Sequence, residues 1–146
     1  FSSCNITRNN DWCGECPKCA FVYLILNPFM NPQRLQSIFG KREFFDNPQI
    51  QKHIIDLVGL GKHKPFECVG TEKESRLAVA MTIFKYKHYG LQPPILLDTI
   101  DKKLNLTQNI KEEEIVNKIK NDWSKNNFLT TEYSELLKQE LKNLSL

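Results

Sequence analysis

The sequence contains no long apolar run. The longest, CAFVYLIL at residues 19–26, is far shorter than the about 20 residues that a bilayer-spanning helix requires. No basic segment precedes it and no small-residue cleavage site follows it, so the pattern of a secretory signal peptide is absent. We therefore expect no membrane partner and a cytoplasmic location, a reducing compartment in which disulfides are rare.

A large excess of charge of one sign is also missing. The formal net charge of +3 at pH 7 is too small to indicate a nucleic-acid or membrane partner by itself. In the lysine-rich segment 101–146, acidic residues at 112–114, 132, 135 and 140 interrupt any continuous positive surface. The charge pattern therefore argues against a nucleic-acid partner.

No segment shows the strict alternation of apolar and polar residues that marks a half-buried strand. Helix signals are frequent instead, among them the Asn47-Pro48 start and the capping box formed by Thr71 with Glu74. Helices are predicted at 17–26, from Pro32 towards Gly40, from Pro48 with a buried stripe of Ile50, Ile54, Ile55 and Val58, from Thr71 to Gly90, and near 94–104, 109–123 and 131–143. The sequence therefore predicts a mostly α fold.

Cysteine is concentrated at the N-terminal end of the chain. Cys4, Cys13, Cys16 and Cys19 form the pattern C-x8-C-x2-C-x2-C, and the odd total of five cysteines fits poorly with a closed set of disulfides. Gly14 suits a tight turn between ligands, and four thiolates would fill the tetrahedral shell of a structural zinc ion. Reduced structural cysteines and an iron–sulfur cluster are the alternatives. The pattern predicts an N-terminal four-cysteine zinc knuckle.

A second group of reactive residue types lies in KHKPFECVGTEKESR, residues 62–76. This segment leads into a predicted helix N-terminus, where free backbone N–H groups favour an anion. Cys68 is either a nucleophile or acid/base thiol, which requires a suitable pKa, or a small buried side chain. The spacing of these residues does not decide between the two.

The wording around these motifs resembles a known family. DWCGECPKCAFVYLIL followed by HKPFECVGTEKESR is similar to the C-terminal region of the UDP-N-acetyl-muramoyl-L-alanyl-L-glutamate epimerases of bacterial cell-wall synthesis. The resemblance extends over roughly residues 1–90. The cysteine spacing alone also resembles the zinc site of the 7-cyano-7-deazaguanine synthases, which are ATP-using enzymes of the PP-loop type.

The epimerase resemblance implies a UDP-muropeptide substrate, and ATP with Mg²⁺ to activate the terminal glutamate carboxylate so that its α-proton can be removed. It implies zinc on Cys4, Cys13, Cys16 and Cys19. It also implies catalytic roles for Glu67 and Cys68, and substrate binding by Lys64 and Arg76.

A nucleotide-binding loop is missing from the sequence. The S-G-G-x-D-S turn of PP-loop enzymes does not occur, and VGLGKHK at 58–64 lacks the spacing of a phosphate loop. We therefore expect the C-terminal portion of a larger PP-loop-type α/β enzyme, inactive without its N-terminal nucleotide-binding domain. Within the chain we expect a knuckle with its helix at 1–26 and a helical domain at 27–146, packed as one unit. Part of a 7-deazaguanine-modifying synthase and a free-standing zinc-stabilised interaction module are the alternatives.

Overall fold

A computed structural model describes residues 4, 6–7, 11–40, 44–62, 69–108, 110–124 and 126–143. These residues form helices and no strand: α1 (Pro17–Leu26), α2 (Pro32–Ile38), α3 (Pro48–Leu57), α4 (Glu72–His88), α5 (Ile95–Leu104), α6 (Glu112–Asn121) and α7 (Thr131–Asn143), with single 3-10 turns at Asn27–Phe29 and Phe44–Asp46. None of these helices has both the length and the apolar character needed to cross a bilayer. The prediction of a mostly α fold with an N-terminal four-cysteine cluster is confirmed.

The helix starts follow the local signals. Asn31 and Asn47 each precede a proline, and their side-chain carbonyls accept backbone N–H groups of α2 and α3. Such N-caps pair donors that the first helical turn leaves without a partner. The predicted capping box of α4 is present, because Thr71 Oγ1 accepts from Glu74 N at 3.2 Å and Glu74 Oε2 accepts from Thr71 N at 2.6 Å.

The chain forms two compact units, Phe1–Asn109 and Ile110–Leu146. In the first unit α1 packs against α3 and α4, with Leu24, Ile54 and Val79 fully buried between them. Ile50 and Val58 of the predicted α3 stripe are buried as well, whereas Ile55 is only half-buried. The predicted division at residues 26 and 27 stays a prediction.

An aromatic cluster forms around Tyr23 of α1. The Tyr23 ring is 5.2 Å from Phe39, 4.7 Å from Phe44 and 5.0 Å from Phe45, measured between centroids. Phe39 extends the cluster towards the cysteines, since its centroid is 4.7 Å from that of Trp12. Aromatic pairs at these separations add to the stabilisation from burial alone. The cluster therefore joins the cysteine segment to the helical core.

The second unit contains α6 and α7 and buries little. Among its described residues Ile115 alone is buried, while Leu136 and Leu137 of α7 are 53% and 43% exposed. A unit of two short helices is too small to bury a large fraction of its apolar surface. Amphipathic periodicity predicted these helices correctly, but it does not decide whether an apolar face finds a partner.

Gly59 provides a test of how the chain leaves the end of α3. Gly59 and Gly90 both follow helices with positive φ, 77° and 66°, a conformation that adds about 1–2 kcal/mol for other residues. A Cβ at Gly59 would lie 2.5 Å from Glu72 Oε2 and 2.7 Å from Arg76 Nη2, whereas none of the described atoms lies within 4 Å of one at Gly90. We expect Gly59→Ala to be more destabilising than Gly90→Ala by about 0.5–1 kcal/mol, the value of a partly exposed ion pair. Urea unfolding measures both, and equal losses would contradict the contact.

Candidate metal centre

The four cysteines predicted as metal ligands come together in space. The sulfur atoms of Cys4, Cys13, Cys16 and Cys19 all lie within 4.8 Å of one another. The Cys13 and Cys19 sulfurs are 3.6 Å apart, and all four thiols are free of disulfides. Cys16 and Cys19 are buried, whereas Cys4 and Cys13 are partly exposed. The cluster therefore lies at the edge of the core.

The local sequence explains how three of these sulfurs converge. Gly14 takes a φ of 73°, as the turn between Cys13 and Cys16 requires. Cys16 is the N-cap of α1, and Pro17 occupies the first helical position, where its missing N–H does no harm. Cys19 then points back from the first turn of α1. The turn that carries the cysteines therefore also forms the start of α1.

Backbone N–H groups point at the sulfurs of the cluster, including a hydrogen bond from Gly14 to Cys19. Ile6 N and Thr7 N lie 3.4 and 3.5 Å from Cys4 Sγ, Glu15 N lies 3.4 Å from Cys13 Sγ, and Cys19 N lies 3.4 Å from Cys16 Sγ. These donors place positive partial charge on the sulfurs, which favours thiolates over thiols. The backbone is therefore arranged for anionic sulfur.

In the absence of a cation, burial opposes the thiolate form that the backbone donors favour. It raises the pKa of the Cys13 thiol, and it raises the pKa of Cys19 further, with a contribution from the neighbouring Cys16. Burial also raises the pKa of Cys4, but hydrogen bonds from Thr7 and Ile6 outweigh it and bring this pKa down to about 5. Burial therefore favours the thiol form of Cys13 and Cys19, whereas the backbone donors favour the thiolate form of Cys4.

The dimensions of the cluster fit a single tetrahedral ion. A zinc ion with sulfur ligands at about 2.3 Å places those sulfurs about 3.8 Å from one another. The 3.6 Å separation of Cys13 and Cys19 is close to this value, and the 4.8 Å limit for the whole set requires only small side-chain adjustments. Four cysteine ligands would fill the shell of such an ion and leave no open position for a reacting water.

Asn47 connects the turn between Cys13 and Cys16 to the helical core. The sequence did not predict this contact. Its Nδ2 donates to the carbonyl oxygen of Gly14 at 3.1 Å, across 33 residues of chain. Its Oδ1 accepts from Gln49 N at 2.8 Å and from Ile50 N at 3.4 Å. The Asn-Pro pair predicted the cap, but not the second bond. One side chain thus starts α3 and holds the ligand turn.

An aspartate at position 47 separates these two roles. Asn47→Asp keeps the acceptor that caps α3, but it replaces the donor to Gly14 with a carboxylate oxygen facing a carbonyl. We expect zinc affinity to fall about tenfold, as is usual when a residue supporting a metal ligand is lost. Competition with a chromophoric chelator measures this affinity, and circular dichroism checks that α3 is retained.

Asn31→Asp is the matched control for this variant. Asn31 is also an N-cap, accepting from Arg34 N at 2.8 Å, and the same change there should leave zinc affinity unaltered. Equal affinities in the two variants would show that the bond to Gly14 does not support the site.

The second predicted site is only partly described. Lys64, Glu67 and Cys68 lie outside the described residues. Arg76 lies on α4, where its Nε donates to the carbonyl oxygen of Val58 at 2.8 Å and its Nη2 is 3.0 Å from Glu72 Oε2. Arg76 therefore ties the first turns of α4 to the end of α3. Its predicted binding of substrate stays a prediction.

The chain is similar in sequence to one group of known proteins. The sequence profile of the MurL C-terminal domain matches residues 1–114. A UDP-N-acetyl-alpha-D-muramoyl-L-alanyl-L-glutamate epimerase of Xanthomonas oryzae pv. oryzae is 47% identical over 90 residues, which cover 56% of this chain and 19% of the relative. Proteins of the same name from a Micromonospora species and from Salinispora tropica are 41% identical over 105 residues and 40% identical over 85 residues.

These last two alignments cover 68% and 55% of this chain, and 23% and 18% of the relatives. The chain thus spans about a fifth of the length of the curated relatives that it matches. No solved structure matches it significantly. Since the profile match covers most of the residues, the chain belongs to the MurL C-terminal domain family.

Proposed function

We propose that this chain is the C-terminal, zinc-binding portion of an ATP-dependent epimerase acting on the terminal glutamate of a UDP-muropeptide, and that it is inactive alone. The observation that supports this most directly is the profile match over residues 1–114, together with three relatives that are named as epimerases of this kind. The shared cysteine spacing of the 7-deazaguanine synthases covers a much shorter segment.

The proposal of zinc depends on the ligand set and its dimensions. Four sulfurs within 4.8 Å suit one ion, whereas an iron–sulfur cluster places metal and sulfide atoms between its ligands and separates them further. The N–H groups directed at Cys4, Cys13 and Cys16 stabilise sulfur in the anionic form that binds metal. With four protein ligands, the ion would be structural.

The chemistry of the reaction would take place elsewhere than at this ion. Inversion at the glutamate α-carbon requires removal of a proton by a base within hydrogen-bond reach and its return on the opposite face. ATP with Mg²⁺ would supply an activated carboxylate, which makes that proton more acidic. No S-G-G-x-D-S loop is found in this sequence, so we assign nucleotide binding to the rest of the enzyme.

Residues of this chain are proposed to meet the substrate at one place, the 62–76 segment. Glu67 and Cys68 are the candidates for proton transfer, and Lys64 and Arg76 are the candidates for binding carboxylate or diphosphate oxygens. Because Nε and Nη2 of Arg76 are already used by Val58 and Glu72, its Nη1 is the atom we assign to a substrate. Arg76 would then hold the start of α4 against the end of α3 and also contact the substrate.

The test uses the full-length product of the gene that contains this chain. Incubated with UDP-N-acetylmuramoyl-L-alanyl-L-glutamate, ATP and Mg²⁺, it should yield D-glutamate after hydrolysis and chiral chromatography, whereas the isolated chain should yield none. Metal analysis should give one zinc per chain and no iron absorption in the visible range.

Two results would overturn the proposal. A reading frame that encodes nothing beyond this chain would remove the place for ATP. A full-length protein that consumes ATP on a deazaguanine precursor and leaves the muropeptide unchanged would assign it to the other enzyme class. Arg76→Lys, which keeps the charge but loses the guanidinium geometry, tests the substrate contact through KM separately from kcat.

A further inference from the structure

A cleft of about 470 Å³ lies in the first unit, away from the cysteines. It is lined by residues 31–33 at the start of α2 and by Lys85, Tyr86, Tyr89 and Leu91 at the end of α4. We call it the α2–α4 cleft. Tyr89 is 63% exposed and Leu91 is 52% exposed. The largely apolar side chains of Tyr89 and Leu91 are therefore exposed to solvent at the edge of one concave site.

The backbone fixes this arrangement. Gly90, with a φ of 66°, ends α4 and turns the chain, so that Leu91 N donates to the carbonyl oxygen of Tyr86 at 2.8 Å. This is the usual way in which a glycine closes the end of a helix. Leu91 is therefore held over the end of α4 before any partner binds, which lowers the entropy lost on association.

Among the described residues that line the cleft, Lys85 is the charged one, and its charge is used within the fold. Lys85 Nζ donates to the carbonyl oxygens of Asn27 and Met30, at the end of α1 and the turn that follows it. A lysine at the C-terminal end of a helix stabilises its free carbonyl groups. The cleft is therefore poorly suited to a phosphate or an anionic membrane, each of which requires cations that are free to bind.

We infer that the α2–α4 cleft is the docking surface for the part of the full-length enzyme outside this chain, which inserts apolar side chains against Tyr89 and Leu91. This inference depends on the proposed function only in assuming a longer enzyme. About four fifths of each relative lies outside the matched region. The rest of such an enzyme is therefore large enough to provide the surface that binds in the α2–α4 cleft. Tyrosine and apolar residues with few free charges are typical of the centre of such interfaces.

Hydroxyl-radical footprinting of the isolated chain and of the full-length protein tests the inference. Oxidation of Tyr89 and Leu91 should be slower in the full-length protein by about fivefold or more, as expected when half-exposed interface side chains become buried. Phe128, which is fully exposed in the second unit and lies beyond the family match, is the internal reference. Unchanged oxidation of Tyr89 and Leu91 in a full-length protein that epimerises its substrate would overturn the docking surface but not the proposed function.

A pair of substitutions gives a second readout. Tyr89→Ser with Leu91→Ser should lower the unfolding temperature of the full-length protein and leave that of the isolated chain almost unchanged. Leu136→Ser, at a similarly exposed position of α7, is the control and should have no effect on either. Protection of the isolated chain by added UDP would instead show a nucleotide site and overturn the inference, as would an equal effect of the double variant on both proteins.

Discussion

Removal of zinc from the four-cysteine centre should unravel residues 1–20, loosen α1 and leave α6 and α7 intact. Cys16 and Cys19 are buried, and Cys16 is the residue from which α1 starts. Without an ion the sulfurs of Cys16 and Cys19 remain in the core, and Cys4 loses the metal bond that it would share with them. Structural zinc contributes about 10–16 kcal/mol in small peptides. This first unit has a helical core of its own, so we expect its free energy of unfolding to fall by less than that, about 4–5 kcal/mol.

Hydrogen exchange with and without a chelator measures this effect residue by residue. Protection should fall in the cysteine segment and in α1, and remain unchanged in α6 and α7, which belong to a separate compact unit. Loss of protection throughout the chain would contradict the expected result, and so would retention of the 1–20 segment after complete removal of zinc.

Cys16→Ser separates the metal from the helix cap. Serine is a good N-cap, so the start of α1 should survive the substitution while one ligand is lost. We expect Cys16→Ser to show the same stability with chelator as without it, equal to that of the chelated native chain. A variant markedly less stable than the chelated native chain would show that the Cys16 side chain contributes through packing as well as through metal.

The second large effect is expected at Phe39, which joins the aromatic cluster to the cysteine segment. The side chain is buried, and its ring lies 4.7 Å from Trp12 and 5.0 Å from Phe44. Truncating a buried phenylalanine to alanine removes about 3–5 kcal/mol of stability. We therefore expect Phe39→Ala to lower the free energy of unfolding by that amount and to release zinc faster, because Trp12 loses its support.

Phe45→Ala is the matched comparison. Phe45 is equally buried and its ring contacts Tyr23, but no ring contact joins it to Trp12 among the described residues. Both variants should lose similar stability, and Phe39→Ala alone should shift the fluorescence of Trp12. A Trp123→Phe background makes Trp12 the single tryptophan. The same fluorescence and zinc release in both variants would show that Phe39 does not couple the core to the cysteines.

The four-cysteine cluster and most helix starts could be predicted because their signals are short. In CGECPKC the glycine, the proline and three ligands are contiguous, so the local backbone nearly determines how the sulfurs point. The Thr71 capping box and the Asn-Pro starts act within four residues. Such interactions need no knowledge of the rest of the fold.

The second site could not be derived in the same way. The sequence places Arg76 beside a loop of reactive residue types, but it does not reveal that the guanidinium bonds the Val58 carbonyl across 18 residues. Burial of an apolar face is also a property of the whole molecule. Ile95 and Leu136 occupy regular helix positions, yet they are 86% and 53% exposed.

The sequence by itself determined the set of four clustered cysteines, the helical class and the family resemblance, since each depends on residue types at fixed spacing. Only the tertiary structure decided that Asn47 holds the ligand turn, that Lys85 uses its charge on the end of α1, and that Tyr89 and Leu91 stand open beside one cleft. These contacts join residues far apart in the chain, and they form only where packed helices bring the residues together.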